Sequence, residues 1–147
     1  MNTEIEKEFE GCRFEAYPDP GTGGVPWTIG YGHTKGVSQG DTCTQDQADE
    51  WLIDDLHDAL QFVGEAVTVP LTDNQLSALV DFVFNVGGRN FASSTLLRLL
   101  NEGKYDEAAA QLTLWNHASG HVLAGLTKRR GAEVEVFKTP DQDAEAA

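Results

Sequence analysis

The chain has 147 residues, with 10 basic against 24 acidic side chains and a net charge of -14. That length supports one domain, two lobes at most, and buries a core without cross-links. The charge excludes nucleic acid as a natural partner, and no apolar run approaches the roughly 20 residues of a membrane helix.

Residues 2 to 10 read as a short helix, with Ile5 and Phe9 one turn apart on one face. Gly11 is its stop, because glycine tolerates the left-handed conformation that ends helices. Glu10 therefore stands in the last turn, where the negative end of the helix dipole disfavours an ionised carboxylate and Arg13 pulls the other way. The first residues lack the charged-then-apolar pattern of a secretion signal. The chain is thus expected in the cytoplasm until something releases it.

From Phe14 the periodicity changes. Residues 27 to 32, Trp-Thr-Ile-Gly-Tyr-Gly, carry β-branched and aromatic side chains between glycines and read as strand. Residues 19 to 26 hold three glycines and two prolines, a hairpin or wide turn. Gly30 and Gly32 leave room for backbone or ligand to come close. A small antiparallel sheet is the expected product.

Residues 35 to 43 form a loop, and Thr44 with Gln47 opens a long helix to about residue 66 through a capping-box pair. Seven carboxylates and no Lys or Arg fall between Asp41 and Asp58, which reads as a solvated face rather than a metal site. Thr72 and Gln75 repeat the capping box for a helix ending at Gly87-Gly88. A further helix starts at Ser93 or Ser94 and ends at Gly103. Residues 105 to 115 give an Ala-rich helix, with Tyr105 and Trp115 in the core. A loop with Gly120 and Gly125 then precedes a last helix over residues 126 to 138. Lys128-Arg129-Arg130 is read as a solvated helix face, with contact to acidic groups of a ligand as the other option. Residues 139 to 147 are polar and expected to be disordered.

The expected class is therefore α+β and mainly helical. A sheet-containing lobe (1–43) and an all-helical lobe (67–138) are joined by a connecting helix (44–66). Cys12 and Cys43 fit neither a disulfide framework nor a metal site, and stand as two free thiols or as one bridge. No cluster of His, Cys and Asp has metal-ligand spacing, so neither metal nor cofactor is expected. No Gly-x-Ser-x-Gly turn supports a serine nucleophile. Gly21-Thr22-Gly23-Gly24 lacks the Lys-Ser or Lys-Thr end of a phosphate-cradling loop.

Carboxylate chemistry survives this elimination. Glu10 ends a helix near apolar residues, and Asp19 opens a polar loop. Two carboxyls in contrasting settings divide into acid and base, the equipment for cleaving a glycosidic bond. Thr28 carries a hydroxyl that can hold a water beside Asp19.

The motifs in this order resemble the phage-type lysozymes, the endolysins of glycoside hydrolase family 24. Glu10-Gly11, Ala16-Tyr17-Pro18-Asp19 and Thr28-Ile29-Gly30-Tyr31-Gly32-His33-Thr34 carry the resemblance at the N-terminal end. Phe84-Asn85-Val86-Gly87, Ser94-Thr95-Leu96-Leu97 and the run from Gly125-Leu126 through Arg129-Arg130 to Glu133 extend it to about residue 138. Eight residues separate Asp19 from Thr28, more than in the shorter family pattern, and the excess falls in the glycine-rich turn.

The resemblance implies a lysozyme-like fold and Glu10 as general acid, with Asp19, helped by Thr28, activating the attacking water. The implied substrate is the β-1,4 bond between N-acetylmuramic acid and N-acetylglucosamine in peptidoglycan, cleaved with inversion; a lytic transglycosylase on the same scaffold and a non-catalytic wall-binding module are the alternative readings. It also implies a monomer that does not insert into membranes and depends on a holin for release. His33 is expected to be structural, with Asp55 as its partner by register against the family. Tyr31, His33, Asn85, Ser94 and Thr95 are the candidate substrate contacts, with a helix cap the equal alternative for Ser94.

Overall fold

The computed structural model describes residues 3–19, 22–118 and 120–141. Among these the order of elements is α1 (Glu4–Glu10), β1 (Arg13–Tyr17), β2 (Thr28–Gly30), α2 (Gln45–Ala66), α3 (Asp73–Val86), α4 (Gly88–Ala92), α5 (Thr95–Asn101), α6 (Tyr105–Leu112), β3 (His117–Ala118), β4 (His121–Val122) and α7 (Ala124–Lys138). The chain divides into two compact units. One is Glu6–His57, and the other takes Ile5 and the chain from Asp58 onward. The boundary between them falls within α2.

In the first unit β1 and β2 pair antiparallel, Arg13 opposite Gly30 and Tyr17 opposite Thr28, with an irregularity between. The loop before α2 adds an edge. Glu15 bridges Thr42, and the Cys43 amide donates to the Phe14 carbonyl at 2.9 Å. Strand β2 stops at Gly30 rather than running to residue 32, because Ile29 and His33 exchange two 2.9 Å backbone hydrogen bonds around a tight turn. Ile29, Ala48, Leu52 and Leu56 are buried, so α2 presents its apolar stripe where helical spacing placed it. Cys12 and Cys43 are free thiols. Burial, then the neighbouring Cys12, pushes the Cys43 thiol up, which favours its protonated form.

The second unit is helical. Helix α3 packs on α7 and α4, while α6 packs on α5 and α7. Thr72 caps α3 in a full capping box with Gln75, as its spacing predicted. Phe82 stands edge-on to Phe91 and Trp115, at 6.3 and 5.6 Å between ring centres. Offset edge-to-face rings of this kind add stability beyond the area they bury.

Three expectations need correction here. The helix from Asp73 ends as expected, with Gly87 as the C-cap of α3, but no loop leads from there to Ser93: the short helix α4 follows at once. The loop before α7 contains the hairpin β3–β4, two residues a side, too short for any period to register. The third concerns residues 139–141, which are held rather than loose. The Asp141 carboxylate accepts from the amides of Asp73 and Asn74 at 2.9 and 3.0 Å, and Asn74 Nδ2 donates to the Thr139 carbonyl at 2.9 Å. An acid on the first amides of a helix satisfies donors that lack partners within it. Residues 142–147 of the expected tail, and positions 20 and 21 of the expected turn, lie outside the described residues.

Of the basic run, Lys128 is exposed as expected, and the two arginines depart from the solvated face. Arg129 and Arg130 are 4% and 1% exposed. Arg129 grips Asp81 through Nε at 3.0 Å and Nη2 at 2.7 Å. Arg130 grips Glu133 through Nε at 2.8 Å and Nη2 at 2.9 Å, and its guanidinium lies 5.0 Å above the Phe82 ring. Burial, followed by contact with Asp81, holds the Glu133 carboxyl well above the usual range. Burial lowers the Arg130 guanidinium.

Candidate active site

Glu10, Asp19, Thr28, Tyr31, His33 and Asp55 all belong to the unit Glu6–His57. Glu10 is the last residue of α1 and is half-buried. Its carboxylate lies directly against the backbone of Gly32. A Cβ built on Gly32, whose φ is +77°, would stand 2.7 Å from Glu10 Oε1. The approach foreseen at that glycine is therefore made by a carboxylate of the protein itself.

Tyr17 is a member of this site that sequence reasoning passed over. Burial, then the charge of Glu10, raises its hydroxyl against a smaller opposing pull from Arg13. The phenol stays a neutral hydrogen-bond donor beside the carboxylate. The Arg13 guanidinium lies 4.6 Å above its ring. The available signal was its place between Ala16 and Asp19 on a strand ending at a turn.

Asp19 closes the turn upon itself. Its amide donates to the Gly24 carbonyl at 2.9 Å, and its carbonyl accepts from Gly23 at 2.7 Å. Its Oδ2 accepts from the Thr22 amide at 3.2 Å. The Thr22 hydroxyl donates to the Val25 carbonyl at 2.7 Å. Thr22 to Val25 are thus tied locally within the turn. Thr28 faces Tyr17 across the sheet, and among the described residues its hydroxyl makes one long bond, 3.4 Å to the Pro26 carbonyl.

His33 is 7% exposed, with Nδ1 at 2.9 Å from Asp55 Oδ2. Its ring stacks on Trp51, 4.6 Å between centres and 5° from parallel. One nitrogen is engaged and one face covered, the surroundings of a structural residue. Trp51 was read only as part of the apolar stripe of α2; its stacking partner is invisible to helical spacing. The Tyr31 hydroxyl accepts from Gln45 Nε2 at 3.1 Å.

The remaining candidates lie in the helical unit. Ser94 is the N-cap of α5: it accepts from the Leu97 amide at 3.0 Å and donates to the Phe91 carbonyl at 2.7 Å. Its hydroxyl is committed to the fold. Thr95 is exposed at the first position of α5. Asn85 Oδ1 accepts from Arg130 Nη2 at 2.8 Å. The arrangement in the first unit provides one half-buried carboxyl at a helix end and one carboxylate fixed in a polar turn, the pairing required for acid and base work on one bond.

Residues 7–133 match the family model described as phage lysozyme. The endolysin of Acyrthosiphon pisum secondary endosymbiont phage 1 is 39% identical, over 90% of this chain and 92% of its own. The endolysin of Bacillus phage PZA is 42% identical over 90% of this chain, which spans about half of that relative's length (52%). Among solved structures, the muramidase domain of SpmX from Asticaccaulis excentricus superposes with a TM-score of 0.87 at 42% identity, covering 94% of this chain and 95% of that one.

Proposed function

The chain belongs to the phage lysozyme family, and from that premise we propose that it cleaves the β-1,4 bond between N-acetylmuramic acid and N-acetylglucosamine with inversion, using Glu10, Asp19 and Thr28. Its activity is that of a glycoside hydrolase that lyses peptidoglycan. In the proposed step the Glu10 carboxyl gives its proton to the glycosidic oxygen as the bond to the anomeric carbon breaks. A water attacks that carbon from the opposite face and passes its proton to the Asp19 carboxylate. The Thr28 hydroxyl holds the water. The two carboxyls then need a separation of roughly 6.5–9.5 Å to leave it room.

The observation that carries this reading is the sheet register. Tyr17 stands opposite Thr28, so Asp19, two residues on, leaves the sheet beside the strand that bears Thr28. The turn between them is closed by Asp19's own hydrogen bonds. Mass spectrometry of purified peptidoglycan digested by the wild type and by Glu10→Gln tests it. Hydrolysis gives reducing muramic acid ends in the wild type and none in the variant. A 1,6-anhydro end would mean that no water attacked, and equal lysis by both proteins would remove Glu10 from the chemistry.

By the same reading the protein works as a monomer at the cell wall. It gets there from the host cytoplasm through a holin lesion. Expression in a bacterial host with and without a holin tests that step: lysis should need both. No described helix is long and apolar enough to cross a membrane.

A further inference from the structure

Strand β1 is irregular where it meets β2. The stretch from Arg13 to Tyr17 faces only the shorter stretch from Gly30 to Thr28. A bulge of this kind kinks a strand and re-aims its side chains. A regular strand would carry the Cα atoms of Arg13 and Tyr17 about 13 Å apart. The bulge shortens that span, and the Arg13 guanidinium reaches over the Tyr17 ring, 4.6 Å from its centre. Opposite Arg13 stands Gly30, which has no side chain to compete for it. Thr28 stands opposite Tyr17, and the charge of Glu10 acts on the Tyr17 hydroxyl. The guanidinium therefore belongs to the same cluster as the residues proposed to do the chemistry.

Arg13 is exposed, and it makes no ion pair with a carboxylate among the described residues. That is notable in a chain with 24 acids against 10 bases, where Glu10 and Glu15 flank it in sequence. A guanidinium over an aromatic ring spends its flat face and keeps N–H donors at its edge, in the fork that fits a carboxylate. Seating the long side chain on Tyr17 beforehand also lowers the ordering cost of binding. We propose that Arg13, seated on Tyr17, binds a carboxylate of the glycan substrate and so sets which strands the enzyme prefers. The inference rests on peptidoglycan as the substrate. Its carboxylates lie on the peptide stem attached to muramic acid, or on the lactyl group of that sugar where the stem is missing. A local cation of this kind admits an anionic group against the repulsion of the chain's net charge of -14.

Calorimetric titration of the Glu10→Gln protein with soluble peptidoglycan oligomers tests the proposal without turnover. Three forms of the oligomer serve as probes: stem peptides intact, the same oligomer with its carboxylates amidated, and an oligomer stripped of its stems, which bares the lactyl carboxylate. The intact or the stripped form should bind more tightly than the amidated one, and which of them does so identifies the source of the carboxylate. Adding Arg13→Gln should weaken binding of that form roughly 3- to 10-fold, the worth of one exposed ion pair that also hydrogen-bonds, and leave the amidated form unchanged. Arg13→Lys keeps the charge and should restore part of the preference. Tyr17→Leu removes the seat and should lose part of it. Equal affinity for all three forms overturns the assignment. So does an Arg13→Gln loss that is as large on the amidated oligomer, which would make Arg13 a support of the sheet. Failure of the muramidase reading would show separately, as absence of peptidoglycan cleavage by the wild type.

Discussion

Gly32→Ala is the substitution for which the geometry gives the firmest expectation. The new Cβ would lie 2.7 Å from Glu10 Oε1, where ordinary contact begins at 3.4 Å. The carboxylate must therefore retreat by about 0.7 Å. Catalytic groups tolerate about 0.5 Å of displacement, and 1 Å costs on the order of 100-fold. We expect kcat on peptidoglycan to fall roughly 10- to 100-fold with KM unchanged, because the methyl meets the acid and not the sugar. Alanine at a φ of +77° also strains the backbone, by roughly 1–2 kcal/mol, or about 2–8 °C in Tm for a chain of this size. Gly36→Ala separates the two effects. Gly36 has a φ of +70° and nothing within 4 Å of an added Cβ. It should show the same loss of Tm with full kcat. A Gly32→Ala enzyme within twofold of wild-type kcat would refute the reasoning, as would an equal loss of kcat in Gly36→Ala.

Glu133→Gln tests the buried network through its pH dependence. A carboxyl whose folded value is raised binds its proton more tightly when folded. Its contribution is complete below the ordinary range and is lost as pH rises through the folded value. The Tm deficit of the variant should therefore be largest at acid pH and shrink as pH rises; a deficit that grows with pH would mark an ordinary ion pair instead. Asp55→Asn should lower stability by about 1–2 kcal/mol, the worth of one good hydrogen bond, because it weakens the 2.9 Å bond to His33. A raised KM with unchanged Tm would return His33 to the substrate. The net charge of -14 repels anionic wall polymers over a Debye length that shrinks from roughly 30 Å at 0.01 M salt to 8 Å at 0.15 M. Clearing of cell-wall suspensions should quicken severalfold across that range, and a rate that falls with salt would contradict the charge argument.

Much of this structure is legible because local signals and tertiary packing agree. The capping box at Thr72 and Gln75 formed as its spacing requires, and α2 buries Ala48, Leu52, Leu56 and Val63, the stripe its period marks. What escaped has a common cause: it depends on a partner distant in sequence. Arg129 and Arg130 look like solvated surface until Asp81, 48 residues before Arg129, receives one of them. Trp51 looks like core until His33 stacks on it. The first part of the tail looks loose until Asp141 meets the amides of α3. The proposed site divides in the same way. Glu10, Asp19 and Thr28 are marked by helix end, turn and strand, whereas Tyr17 and Gly32 join them only once the chain brings Glu10 beside them.

The central claim is that a water activated at Asp19 and Thr28, not an enzyme carboxylate, attacks the sugar. Proton NMR of the first product formed tests it most directly, with spectra taken before the new reducing end equilibrates. Attack by that water from the opposite face of a β-linked sugar gives the α-anomer first. A β-anomer appearing first would mean two displacements through a covalent intermediate, and would contradict the roles assigned to Asp19 and Thr28.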